Sequence, residues 1–207
     1  MFVSLSSSYA SNSCAIRQSI INYTKSNDAT LFFDWLVVSM KSINQILENM
    51  PILFESTYVY RSAKNTTSIK FKNFDLLTSH HDIHKFNETS IQEITLKYTR
   101  RYERLINTIK TEKKIFFIRY CKNLNDLQED EILRFYTNIS RLNPSLVFKF
   151  VLISDFDDLL IPASLTSNPD FLYINLNKYI DDDVLNEPNA YFKIIKQYKC
   201  VFTILND

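Results

Sequence analysis

Two groups of residues in this chain have the types and spacing to carry nucleophilic chemistry, and a third could hold a charge. Cys14 follows a short apolar run, Phe2 to Leu5, and stands where a helix is expected to open. A thiol at a helix N-terminus feels the positive end of the helix dipole, which favours the thiolate. A thiol nucleophile also needs a base in hydrogen-bond reach, and imidazole is the usual one. The histidines of the chain, His80, His81 and His84, all fall in one short segment. The spacing of His80 and His84 would also suit a metal on one helix face. However, no glutamate follows His80 as in a zinc-protease helix, and no second ligand cluster is evident, so no metal and no cofactor are assigned. The third group is acidic: Asp155, Asp157 and Asp158 follow the apolar run Val147 to Ser154.

These residues need a scaffold, and the hydrophobic pattern supplies one. Phe2 to Leu5 reads as a strand. Asn12 or Ser13 would cap a helix with Ile16, Ile20 and Tyr23 on its apolar face. Leu31 to Val38 is a nearly continuous apolar run, read as a buried strand that carries Asp34, and Ser39 starts the next helix. Ile69 and Phe71 alternate with lysines as in a half-exposed strand. Ser90 with Glu93 forms a capping-box pair for a helix to about Lys110, along which Ile94, Tyr98, Tyr102, Leu105 and Ile109 make one stripe. Lys114 to Tyr120 reads as a strand, and Asp126 with Glu129 as the cap of a helix stopped at Asn143-Pro144. Val147 to Ser154, Phe171 to Leu176 and Cys200 to Leu205 read as strands, with a helix near Pro188 to Tyr198. Strands alternating with helices at this spacing imply parallel crossovers. The expected fold is a single α/β domain over residues 1–207, a three-layer sandwich around a mostly parallel sheet. In such sheets ligands bind outside the carboxyl ends of the strands.

Composition narrows the function classes. Hydrophobic residues make up 45% of the 207, so the chain can bury a full core. The formal charge of +1 gives no bulk attraction to nucleic acid or to an anionic membrane. Apolar runs fall far short of the ~20 residues that span a bilayer, and no secretory leader is read. Cys14, Cys121 and Cys200 are an odd, scattered set, which suits reduced thiols and an intracellular, cytoplasmic setting. Glycine is absent from the whole chain. The Gly-rich phosphate cradles of nucleotide-binding folds are therefore excluded. The abundance of Asn, Lys, Ile, Phe and Tyr fits an AT-rich genome. Arg119, inside an apolar strand, is expected to meet a carboxylate or to point into a cleft.

The ordered set of motifs resembles one family. Ser4-Leu5 precedes a cysteine, here Cys14; Phe33-Asp34-Trp35 precedes a helix; His81-Asp82 follows; then come the helix with Tyr98, Arg101 and Arg104 and the strand Phe116-Phe117-Ile118-Arg119. Together they are similar to the putative papain-like cysteine peptidase family of bacteria and large DNA viruses. Ser6 stands where that family usually has glycine, and Phe32 where it usually has proline. The resemblance implies a Cys/His hydrolase acting on a peptide or other acyl substrate. Cys14 would be the nucleophile, His81 the base, and Asp34 the group that orients the imidazole or shapes the site, with Asp155 as the alternative orienter.

Three other readings stand beside it. One is a degenerate, inactive member of the family. A second is a non-enzymatic structural or interaction protein, virion-associated, with a protein partner. The third rests on the run Ser154 to Asp158, which resembles the acidic motif of metal-dependent sugar-nucleotide transferases; Asp155 and Asp157 would then hold a divalent ion against a diphosphate.

Overall fold

The structure is a computed structural model. It describes all residues except 9, 26–28, 49–56, 62–66, 72–73, 80–87, 123–126, 158–159, 181 and 207. It does not describe the side chains of residues 10–13, 57–61, 67–70, 88–91, 182–183, 190–191 and 206. In chain order the elements are β1 (Phe2–Ser7), α1 (Ala10–Thr24), β2 (Leu36–Val38), α2 (Met40–Glu48), β3 (Thr57–Arg61), β4 (Thr67–Phe71), β5 (Leu77–Ser79), α3 (Glu88–Thr111), β6 (Lys114–Tyr120), α4 (Glu129–Leu142), β7 (Val147–Ser154), α5 (Ala163–Thr166), β8 (Phe171–Asn175), α6 (Asp182–Leu185) and α7 (Ala190–Asn206).

The strands form one eight-stranded sheet in the order β3-β4-β5-β2-β1-β6-β7-β8. From β2 to β8 neighbouring strands run parallel, and β5, β4 and β3 extend the sheet antiparallel. Strand residues divide between the two faces as a period of two requires. In β6, Ile115 and Phe117 enter one core, and Phe116, Ile118 and Tyr120 the other. The first core is completed by α2, α3 and α4, and the second by α1 and α7. This is the expected α/β three-layer arrangement. Strands buried on both faces are why Lys114 to Tyr120 and Val147 to Ser154 read as apolar runs.

Four local expectations are corrected. Leu31 to Val38 is buried except for the half-buried Trp35, but only Leu36–Val38 is strand. The preceding residues turn: Leu31 donates its N–H to the Asp34 carboxylate at 2.7 Å, Asp34 donates its own N–H to the Leu31 carbonyl at 3.3 Å, and Trp35 takes φ 67°. A carboxylate that accepts a backbone N–H three residues back competes with a strand ladder. The helix that carries Cys14 starts at Ala10, ahead of Asn12 and Ser13. The helix expected to be capped at Ser90 begins at Glu88. Cys200 to Leu205 is the last part of α7 rather than a strand: Tyr198, Val201, Phe202 and Leu205 step at helical spacing into the core, with no breaker between them.

Ser39 does cap α2, its Oγ accepting the Ser42 N–H at 3.2 Å. The α4 cap is Gln128, at φ 46° and with no side-chain cap bond; Asp126 lies outside the described residues. The Gln128 amide oxygen instead accepts the Met40 N–H at 3.1 Å, tying α4 to α2.

Candidate functional site

The strand order places a topological switch at β1 and β6. The chain leaves β1 through α1 on one face of the sheet, and leaves β6 through α4 on the other. The crevice outside the carboxyl ends of two such strands is where open α/β sheets bind ligands.

At that edge β1 runs into three serines. Ser6 adopts φ 58°, the left-handed region that glycine enters without penalty. Its backbone N–H points at Ser4 Oγ at 3.1 Å, its hydroxyl donates to the Leu36 carbonyl, and the β1–β6 register shifts between Ser4 and Ser7. This kink takes the chain off β1 towards α1.

Arg119 braces the same turn. It is fully buried, with 0% exposure. Nη1 donates to the Leu5 carbonyl at 3.2 Å, and Nη2 donates to Ser8 Oγ at 2.9 Å and to the Val38 carbonyl at 3.1 Å. Its described partners are therefore the ends of β1 and β2. Strand ends present carbonyls that need donors, and the rigid guanidinium fork can serve several at once.

On the opposite face of the sheet, Tyr120 closes β6 and donates its hydroxyl to Asp155, just past the end of β7. Tyr198 of α7 lies nearby and is fully buried. Its phenol is pushed well above the ordinary range by burial, reinforced by Tyr120 and Asp155. The acidic run is held by protein donors. Asn177 Nδ2 donates to the Asp155 carbonyl at 2.8 Å and to Asp157 Oδ1 at 3.0 Å, and Asn175 Nδ2 reaches the same Oδ1 at 3.0 Å. These amides, Asn177 first, hold the Asp157 carboxyl below its ordinary range. Asp158 lies outside the described residues. Among the described residues, no three His, Cys, Asp or Glu side chains converge as a metal site would require.

Cys14 is half-buried and lies in the second turn of α1. It shares a partly exposed stripe with Gln18, while Ala15, Ile16 and Ile20 face the core. The position corrects the expectation that Cys14 opens the helix, because the dipole effect is concentrated in the first turn. Cys121 is buried and Cys200 half-buried; all three are free thiols.

Asp34 sits just ahead of β2, on the amino-terminal side of that strand, and its exposure is 0%. Its Oδ2 pairs with Arg17 Nε at 3.2 Å and accepts the Leu31 N–H, while Oδ1 has no hydrogen-bond partner among the described residues. Burial pushes its carboxyl up from 3.8 to about 6, against the opposing pull of Arg17, the Leu31 N–H, Arg101 and Arg104. The tripeptide and the α3 motif thus form one unit. Arg101 and Arg104 act electrostatically on Asp34, Arg104 Nη2 donates to the Thr30 carbonyl at 2.8 Å, and the Tyr98 and Phe32 rings meet edge-on at 5.5 Å. Arg17 follows Cys14 by one helical turn, so Asp34 is joined to the cysteine-bearing helix through it.

His81, with His80 and His84, lies outside the described residues. The chain enters that segment from Ser79, which pairs with Leu36, two residues beyond Asp34. Sequence reasoning missed Arg17, Tyr120 and Tyr198. An arginine between the core positions Ile16 and Ile20 was the available signal for the first. The tyrosines carried no signal beyond an apolar pattern.

A family model matches residues 12–157, most of the chain, and its description is a putative papain-like cysteine peptidase. The matched span contains Cys14, Asp34, His81, the Tyr98–Arg104 motif, Arg119 and Asp155, and leaves out Ser4-Leu5. No curated protein and no solved structure matches the chain. With the fold, the cysteine-bearing helix at the switch point and this coverage in hand, the chain belongs to the putative papain-like cysteine peptidase family.

Proposed function

We propose that the chain is a Cys/His thiol hydrolase acting on a peptide or other acyl substrate. The observation that carries this reading is the family match across Cys14, Asp34 and His81, on a helix that leaves β1 at the topological switch of the sheet. Cys14 Sγ attacks the acyl carbon as His81 takes the thiol proton. The proton then passes to the leaving amine, and the C–N bond breaks to leave a thioester. Water hydrolyses that thioester, with His81 accepting a proton from the water and returning it to the sulfur. Asp34 shapes the site: its pairing with Arg17 sets the position of α1, and hence of Cys14, against the turn before β2. A thiol-reactive peptide probe tests the reading. Labelling that is lost in Cys14→Ala and strongly slowed in His81→Ala supports it, and unchanged labelling in both variants overturns it.

One observation favours a second reading, a degenerate member without hydrolase activity. Cys14 stands beyond the first turn of α1, where the dipole gives little help in forming thiolate. The same probe separates the two, because a degenerate member labels Cys14 no faster than Cys200.

A further inference from the structure

Among the described residues, three arginines of α3 have no ion-pair partner. Arg100, Arg101 and Arg104 come within ion-pair distance of no carboxylate among the described residues, and the one nearby buried carboxylate, Asp34, pairs with Arg17. Arg101 is the most costly of them. It is 8% exposed, its Nη1 has no hydrogen-bond partner among the described residues, and its guanidinium lies over the Tyr98 ring at 5.2 Å. A buried guanidinium with an unfilled donor is expensive unless an anion completes it.

Beside Arg100 and Arg104 lies a cavity of about 550 Å³, within the size range of small-molecule sites. Arg100, Arg104, Asn107 and Thr108 line one wall, and Ala29 and Leu31 the other. Glu103 of α3 and Met1 complete the lining. Both lining arginines use one nitrogen on a backbone carbonyl, Arg100 Nε on Leu96 at 3.2 Å and Arg104 Nη2 on Thr30 at 2.8 Å, which fixes each fork in place. The cavity opens at the amino-terminal ends of β1 and β6, where the Met1 amine meets the Lys114 carbonyl at 3.0 Å. It is therefore at the other edge of the sheet from the switch-point crevice.

We infer that this cavity binds a small oxyanion, a phosphate or carboxylate group, held by the Arg100 and Arg104 forks that line it; Arg101, on the same helix, is not in the lining and adds only to the positive charge of this stretch of α3. Guanidinium forks match such groups two donors at a time, and the hydroxyl and amide of Thr108 and Asn107 suit the remaining oxygens. The site goes beyond the hydrolase reading and does not depend on it.

Thermal melting of the full chain tests it, with sodium phosphate and sodium citrate each compared against sodium chloride at matched ionic strength. The site predicts that at least one oxyanion raises Tm by about 3 °C or more over chloride, in a saturable manner. The rise should vanish in Arg100→Gln/Arg104→Gln and be reduced but still present in Arg104→Lys, which keeps the charge and loses the fork. A response to phosphate alone identifies a phosphate ligand, and a response to citrate a carboxylate one. If the double variant does not fold, Arg100→Gln decides, since Arg100 is exposed and its described bond is to its own helix; it should weaken the response about tenfold in concentration. No rise over chloride, or an equal rise in the variants that lack these arginines, overturns the site.

Discussion

Arg17 and Asp34 form a buried ion pair, Nε to Oδ2 at 3.2 Å, that fastens the cysteine-bearing helix to the turn ahead of β2. Removing one partner leaves the other charged and buried, whereas removing both does not. Arg17→Met should therefore cost about 3–5 kcal/mol in urea unfolding. Adding Asp34→Asn to it should recover part of that loss. Additive costs would show that the two groups do not interact.

Asp34 also makes a pH prediction with an unusual sign. Its folded-state pKa, about 6, lies above its ordinary 3.8. Ionised Asp34 thus weakens the fold above pH 6. The penalty lifts as pH falls through 6 towards 3.8, because the folded chain takes up a proton that the unfolded chain does not. Relative to Asp34→Asn, the wild-type chain should gain on the order of 2 kcal/mol across that window. A constant difference between the two proteins, measured by unfolding at several pH values, would contradict the burial argument.

Ser6 offers a backbone test. At φ 58° a side chain is penalised and glycine is not. Ser6→Gly and Ser6→Ala both lose the hydroxyl bond to Leu36, so the comparison between them isolates the backbone. The glycine variant should be the more stable by about 1 kcal/mol. Equal stability would mean that the turn relaxes away from the left-handed region.

Arg119 supports the turn between β1 and α1. Arg119→Met strips donors from Leu5, Ser8 and Val38 and should cost about 3 kcal/mol or more. Arg119→Lys cannot reproduce the fork and should recover less than half of that cost. Full recovery by lysine would show that charge alone is needed there.

How far the sequence could be read depended on where each residue's partners lie. Lys114 to Tyr120 and Val147 to Ser154 were legible to the residue, because a strand buried on both faces is a bounded apolar run. Leu31 to Val38 looked the same but is mostly a turn; the bond from the Leu31 N–H to the Asp34 side chain leaves no periodic trace. Cys200 to Leu205 resembled a strand because it is short and apolar, and only its phase with Tyr198 marks it as helix. At the site, Cys14 and Asp34 could be picked out by type. What they touch could not, because Arg17 meets Asp34 across a helix and a turn, and Arg119 meets carbonyls, which every residue has.

The central claim is that Cys14 is an activated nucleophile served by His81. The direct measurement is the second-order rate of iodoacetamide labelling at Cys14, Cys121 and Cys200, resolved by peptide mass in the native wild-type chain and in His81→Ala. An activated Cys14 should react at least about tenfold faster than the comparably half-buried Cys200, and should lose that advantage without His81. Equal rates at Cys14 and Cys200, unchanged by His81→Ala, would contradict it.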